Sequence, residues 1–107
     1  MYNVSKEDYW LIVDDVRTLG CANVARTPEQ AKAELVKKQW SHLIIDYNLC
    51  AQETGLDVLR WGVANKLLPK HVQILYFDLD IVKKMGSLLR EHDYHSEDGF
   101  DWYYRGK

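Results

Sequence analysis

The chain has 107 residues, 47% of them apolar and 28% charged, with a formal net charge of −2. That length and composition fit one globular domain over residues 1–107 and exclude a disordered chain, while the slightly acidic balance excludes a broad basic face for gripping duplex DNA. No apolar run approaches a membrane span, the opening MYNVSKEDYW lacks the apolar stretch of a secretory signal, and Cys21 and Cys50 form neither a CxxC pair nor a disulfide framework, so a cytoplasmic protein with reduced thiols is expected.

Tyr9–Val13 (YWLIV) is a short apolar run with β-branched members, predicted to be a buried strand, and it closes on Asp14 and Asp15. Gly20–Arg26 is a weaker strand. In Thr27-Pro28-Glu29-Gln30, Thr27 suits a helix cap, Pro28 the first helical position and Gln30 the far side of a capping box. The helix runs on through AKAELVKK, with Ala31, Leu35 and Val36 facing inward. His42–Asp46 (HLIID) is a second buried strand, again ending in an acid. Thr54-Gly55 opens a helix whose apolar stripe is Leu56, Leu59, Val63 and Leu67, stopped by Pro69. Val72–Phe77 is a third buried strand, and Asp78 after it can cap a helix carrying Ile81, Met85, Leu88 and Leu89. The domain core spans about residues 9–92; in residues 93–107, Phe100, Trp102 and Tyr104 alternate as in a last edge strand or a docked aromatic tail.

Strands alternating with helices predict a three-layer α/β sandwich, flavodoxin-like, with a mainly parallel sheet covered on both faces. One irregularity stands out. Only Val16–Cys21, about six residues, part the first strand from the second, too few for a helical crossover, so the second strand is antiparallel or joined by a tight loop.

In such a sheet ligands bind beyond the carboxyl ends of the strands. Asp14, Asp15 and Asp46 end two strands that should be central neighbours, which would bring three carboxylates within a few ångströms. Charges so close repel, and a divalent cation removes that cost; oxygen-only donors suit Mg²⁺, which commonly also binds a phosphate. Asn48, two residues past Asp46, can add its backbone carbonyl or its side chain. Arg17, three past Asp14, can reach a phosphate oxygen. Taken singly, each acid could equally be a turn or cap residue. His92 and His95 have no third zinc ligand and fit a solvated helix end. His42 and His71 read as strand-boundary residues, and Trp40, Trp61 and Trp102 as packing anchors.

The stretch HLIIDYNLCAQETGLDVLRWGVANKLLPKHVQILYFD resembles the receiver domain of two-component signalling. It has an acid ending an apolar strand, an Asn-Leu loop, Gly-Leu-Asp-Val-Leu-Arg opening a helix, then Pro and another apolar strand. By that resemblance Asp14 and Asp15 would hold Mg²⁺ and Asp46 would accept a phosphoryl group. Asp14-Asp15-Val16-Arg17, Ala25-Arg26-Thr27, Asp46 and Gly55-Leu56-Asp57-Val58-Leu59-Arg60-Trp61 are more closely similar to the cyclic-phosphate processing receiver-like domains, divergent receivers that lack the first helix. That resemblance covers about residues 9–92. It implies processing of cyclic or terminal phosphates on nucleotides or RNA ends, with Asp46 and Asp15 catalytic. The chain departs from receivers where a small hydroxyl residue should end the fourth strand, since Tyr76, Phe77 and Asp78 stand there, and no strand-lysine-proline segment is present. These departures point to the alternative, a degenerate receiver that binds a protein partner through a helix face or its aromatic tail.

Overall fold

The computed structural model describes residues 9–17 and 23–106. Four strands run parallel, β1 (Trp10–Val13), β2 (Asn23–Ala25), β3 (His42–Ile45) and β4 (His71–Ile74), in the order β2-β1-β3-β4. The β1–β2 pair is therefore parallel, which removes the antiparallel alternative despite the short link. Cys21 lies outside the described residues.

Among the described residues, three helices join the strands. In α1 (Pro28–Lys37) the Thr27 hydroxyl accepts from the Gln30 amide, as expected of a cap. The reciprocal bond differs: Gln30 Oε1 accepts from the amide of Arg26, one residue before the cap, at 2.8 Å. Val36 is 63% exposed rather than inward, because Ala31 and Leu35 already define the buried side. Thr54 and Asp57 close a complete capping box on α2 (Gly55–Ala64). This helix stops before Leu67, since Lys66 takes a left-handed φ of 58° and the Leu67 and Lys66 amides turn back to Gly62 and Val63, a Schellman ending. The buried stripe is consequently Val58, Leu59 and Gly62, with Leu56 and Leu67 at its margin. Asp78 caps α3 (Leu79–Glu91) as expected, accepting from the Asp80 and Ile81 amides.

The aromatic tail is a strand, though not the outermost one. β6 (Asp101–Tyr104) inserts antiparallel between β4 and the short β5 (Tyr94–His95), which holds the edge.

Each helical connection moves across the sheet in the same direction, and right-handed crossovers then place all three helices on one face. There Leu11, Val13, Leu43, Ile45, Val72, Ile74 and Trp102 pack under Ala31, Leu35, Val58, Leu59, Val82, Met85 and Leu89 in one core. The α/β, receiver-like class stands as expected. The second helical layer of a three-layer sandwich is not seen among the described residues: the parallel connection that runs the other way, β1 to β2, shows no helix in its described part, and the other backward step, β5 to β6, is an antiparallel hairpin. On that second face Ile12 and Ile44 form a small cluster with Trp10, Val24 and Leu75. Beside it a row of rings crosses four strands in register: Trp10–His42 at 4.3 Å, His42–His71 at 4.3 Å and His71–Tyr103 at 4.4 Å. His42 and His71 are the first residues of β3 and β4, as expected of boundary residues, and they also join this row: His42 meets His71 edge-on and His71 stacks on Tyr103.

Candidate acidic centre

β1 connects outward to β2 on one side, while β3 continues toward β4 on the other. The reversal between them is a switch point, and in open α/β sheets ligands bind beyond the carboxyl ends of the strands at such a point. The next residues along those strands are Asp14 and Asp46. Their backbones stay in the ladder: the Asp14 amide donates to Ala25 O at 3.1 Å and the Asp46 amide to Val13 O at 2.9 Å.

Asp14, Asp15 and Asp46 each offer a carboxylate oxygen, and the three oxygens lie within 4.8 Å of one another. Asp14 is 1% exposed and Asp46 9%, while Asp15 is half-buried and is the open side of the cluster. Asp14 Oδ1 accepts from the Val16 and Arg17 amides, both at 3.0 Å, which makes it an acidic turn that holds the loop in place. Its Oδ2 faces the Arg17 guanidinium at 3.4 Å. Asp46 Oδ1 accepts from the Tyr47 amide at 2.7 Å. Burial, and after it the negative charge of Asp14, push the Asp46 carboxyl above the usual carboxylate range. That is the electrostatic state an all-oxygen cation site has before its cation is bound: crowded carboxylates, one of them reluctant to ionise.

The other expected members sit less simply. Arg17 is turned onto Asp14, with a side chain still 54% exposed and able to offer its remaining N–H groups outward. The Asn48 side chain is engaged locally, its Oδ1 accepting from the Cys50 amide at 3.0 Å. Asp78, the third acid after a strand, belongs to the cap of α3.

Two residues here escaped the sequence reading. Arg26 donates from Nη1 to Asp14 O at 3.2 Å and to Arg17 O at 2.6 Å, pinning the acidic loop to the end of β2; its place in Ala25-Arg26-Thr27 was the available signal. Cys50, in a left-handed conformation with φ 51°, points its thiol at Asp15 Oδ2, 2.9 Å away. The Asp15 hydrogen bond and charge hold that thiol above its ordinary pKa. The two residues lie 35 positions apart in different loops, and no local pattern announces the contact. The large cleft of about 560 Å³ lies at the opposite end of the sheet, against Lys38, Trp40, Lys66 and Lys70, and takes no part in this centre.

A mainly parallel sheet with acids at its switch point is the arrangement of a receiver-like domain. The chain belongs to the cyclic-phosphate processing receiver domain family, whose model matches residues 9–91. No curated protein and no solved structure matches it. Among the described residues no helix is long and apolar enough to cross a membrane.

Proposed function

We propose that the chain is a Mg²⁺-dependent phosphoesterase acting on cyclic or terminal phosphates of nucleotides or RNA ends. The observation that carries this reading is the set of three carboxylate oxygens within 4.8 Å at the switch point of a chain from this family. The cation's donors are the carboxylates of Asp14, Asp15 and Asp46 with the backbone carbonyl of Asn48. Mg²⁺ bound there supplies Lewis-acid polarisation of the phosphoryl group.

The chain's own residues do the rest. Asp14 is fixed by the Val16 and Arg17 amides, so its oxygen is oriented before any ligand arrives. Arg17 holds a phosphate oxygen through the N–H groups that Asp14 does not use. Asp15, the most open acid, and Asp46 are the catalytic carboxylates, placed to hold the cation against the phosphate. The free Cys50 beside Asp15 fits a reducing, cytoplasmic setting.

Calorimetric titration with Mg²⁺ and turnover of 2′,3′-cyclic nucleotides test the proposal together. Saturable Mg²⁺ binding with cation-dependent opening of the cyclic phosphate is expected; the absence of both binding and turnover would overturn it. The second reading, a degenerate receiver that docks on a protein, is favoured by Tyr103 and Tyr104, 52% and 38% exposed on β6. It predicts that Asp46→Ala keeps the biological activity intact, where the phosphoesterase reading predicts its loss.

A further inference from the structure

β4 lies beside β3, so the segment that follows β4 rises next to Asp46 and Tyr47. Three rings stand there in series. Tyr47 contacts Tyr76 at a centroid distance of 5.3 Å, and Tyr76 contacts Phe77 at 4.8 Å with 38° between the planes. Tyr47 and Tyr76 are partly buried against the main core and hold their end of the series in place. Phe77, at the free end, is 83% exposed.

Phe77 has no polar atom with which to hold a phosphate oxygen; it has a ring to offer. The ring series starts one residue from Asp46, at Tyr47, and ends on the exposed Phe77, so a base could lie on it while its phosphate meets the acids. The chain's charge of −2 leaves little to grip a long polyanion, so recognition has to come from the nucleotide nearest the acids. We propose that Phe77, backed by Tyr76 and Tyr47, is a stacking platform for the base of the nucleotide whose phosphate sits at Asp14, Asp15 and Asp46. This rests on the phosphoesterase reading and narrows it. The ligand is a mononucleotide or a terminal nucleotide, because a base inside a duplex has both faces covered by its stacked neighbours. Every base has such a face, so base identity matters little.

The test is binding, in Mg²⁺, of adenosine 2′,3′-cyclic phosphate and of ribose 2′,3′-cyclic phosphate, which lacks a base, followed by NMR. The nucleotide is expected to bind about tenfold more tightly, with its base protons shifted upfield by a ring. Phe77→Ala should reduce it to the affinity of the base-free ligand and leave that ligand unchanged, and Phe77→Trp should keep the advantage. Phe77 is exposed, so these variants are expected to fold. Equal affinity of the two ligands, or a Phe77→Ala protein that binds the nucleotide as the parent does, overturns the platform while the acidic centre stands. If the base-free ligand shows no Mg²⁺-dependent binding, the acidic centre fails, and a nucleotide that then binds without upfield-shifted base protons, or does not bind, takes the platform with it.

Discussion

Asp46→Asn is expected to stabilise the metal-free protein and to abolish the stabilisation that Mg²⁺ gives the parent. The Asp46 carboxyl is harder to ionise in the folded chain than in the unfolded one, because of burial and the charge of Asp14. Between its unfolded value near 3.8 and its higher folded value, the folded state binds more protons, so parent stability falls as pH rises through that window. Asparagine keeps an oxygen for the Tyr47 amide and carries no charge. The variant should therefore melt a few degrees above the parent at neutral pH without divalent cations, with the gap closing in acid. Adding Mg²⁺ reverses the order. A ligand at about 100 times its Kd stabilises by about 2.7 kcal/mol, and only the parent retains all three carboxylates to bind it. Turnover should fall by about 100-fold or more, since even outer-sphere partners of a metal cost about 10–100-fold. Melting curves at two pH values, with and without Mg²⁺, check this; a variant less stable than the parent in the absence of cations contradicts the electrostatic account.

Gly55→Ala is expected to damage fold and centre together. Gly55 starts α2, and its amide donates to Tyr47 O at 2.8 Å. A Cβ there would stand 2.0 Å from the Asp46 carbonyl oxygen and 3.1 Å from the Tyr47 Cα. Both are backbone atoms of the strand end that carries the site, so neither can swing aside as a side chain would. Alanine gains about 1 kcal/mol of helix propensity over glycine. Overpacking costs about 1–3 kcal/mol where flexible groups can yield and more where they cannot. The net expectation is a loss of about 2 kcal/mol or more in urea denaturation, with weakened Mg²⁺ affinity as the Asp46–Tyr47 segment is forced from α2. An unaffected denaturation midpoint would show that α2 does not rest on this strand end.

The places where sequence and structure agree share a cause, as do the places where they part. β1 and β3 were legible because short apolar runs closing on Asp14 and Asp46 leave few alternatives, and because adjacent parallel strands bring their carboxyl ends together. The caps Thr27, Thr54 and Asp78 were legible because capping is local chemistry. Which face the helices cover was not, since WLIV and HLII are apolar on both sides of the sheet and carry no alternation to orient them. The place of β6 was hidden for a related reason: alternation of Phe100, Trp102 and Tyr104 identifies a strand but not its neighbours. The row of rings formed by Trp10, His42, His71 and Tyr103 needs the register of four strands. At the centre, the three acids were visible as strand ends, whereas Cys50 against Asp15 depends on how two distant loops meet.

Mn²⁺ added below stoichiometry to isotope-labelled protein tests the central claim most directly, through paramagnetic broadening of backbone amide signals. A shared cation site at the ends of β1 and β3 predicts that Asp14, Asp15, Asp46, Tyr47 and Asn48 broaden first and recover when excess Mg²⁺ displaces the probe. Broadening spread evenly over surface carboxylates such as Glu29, Glu91 and Asp98, with those five signals left sharp, would contradict it.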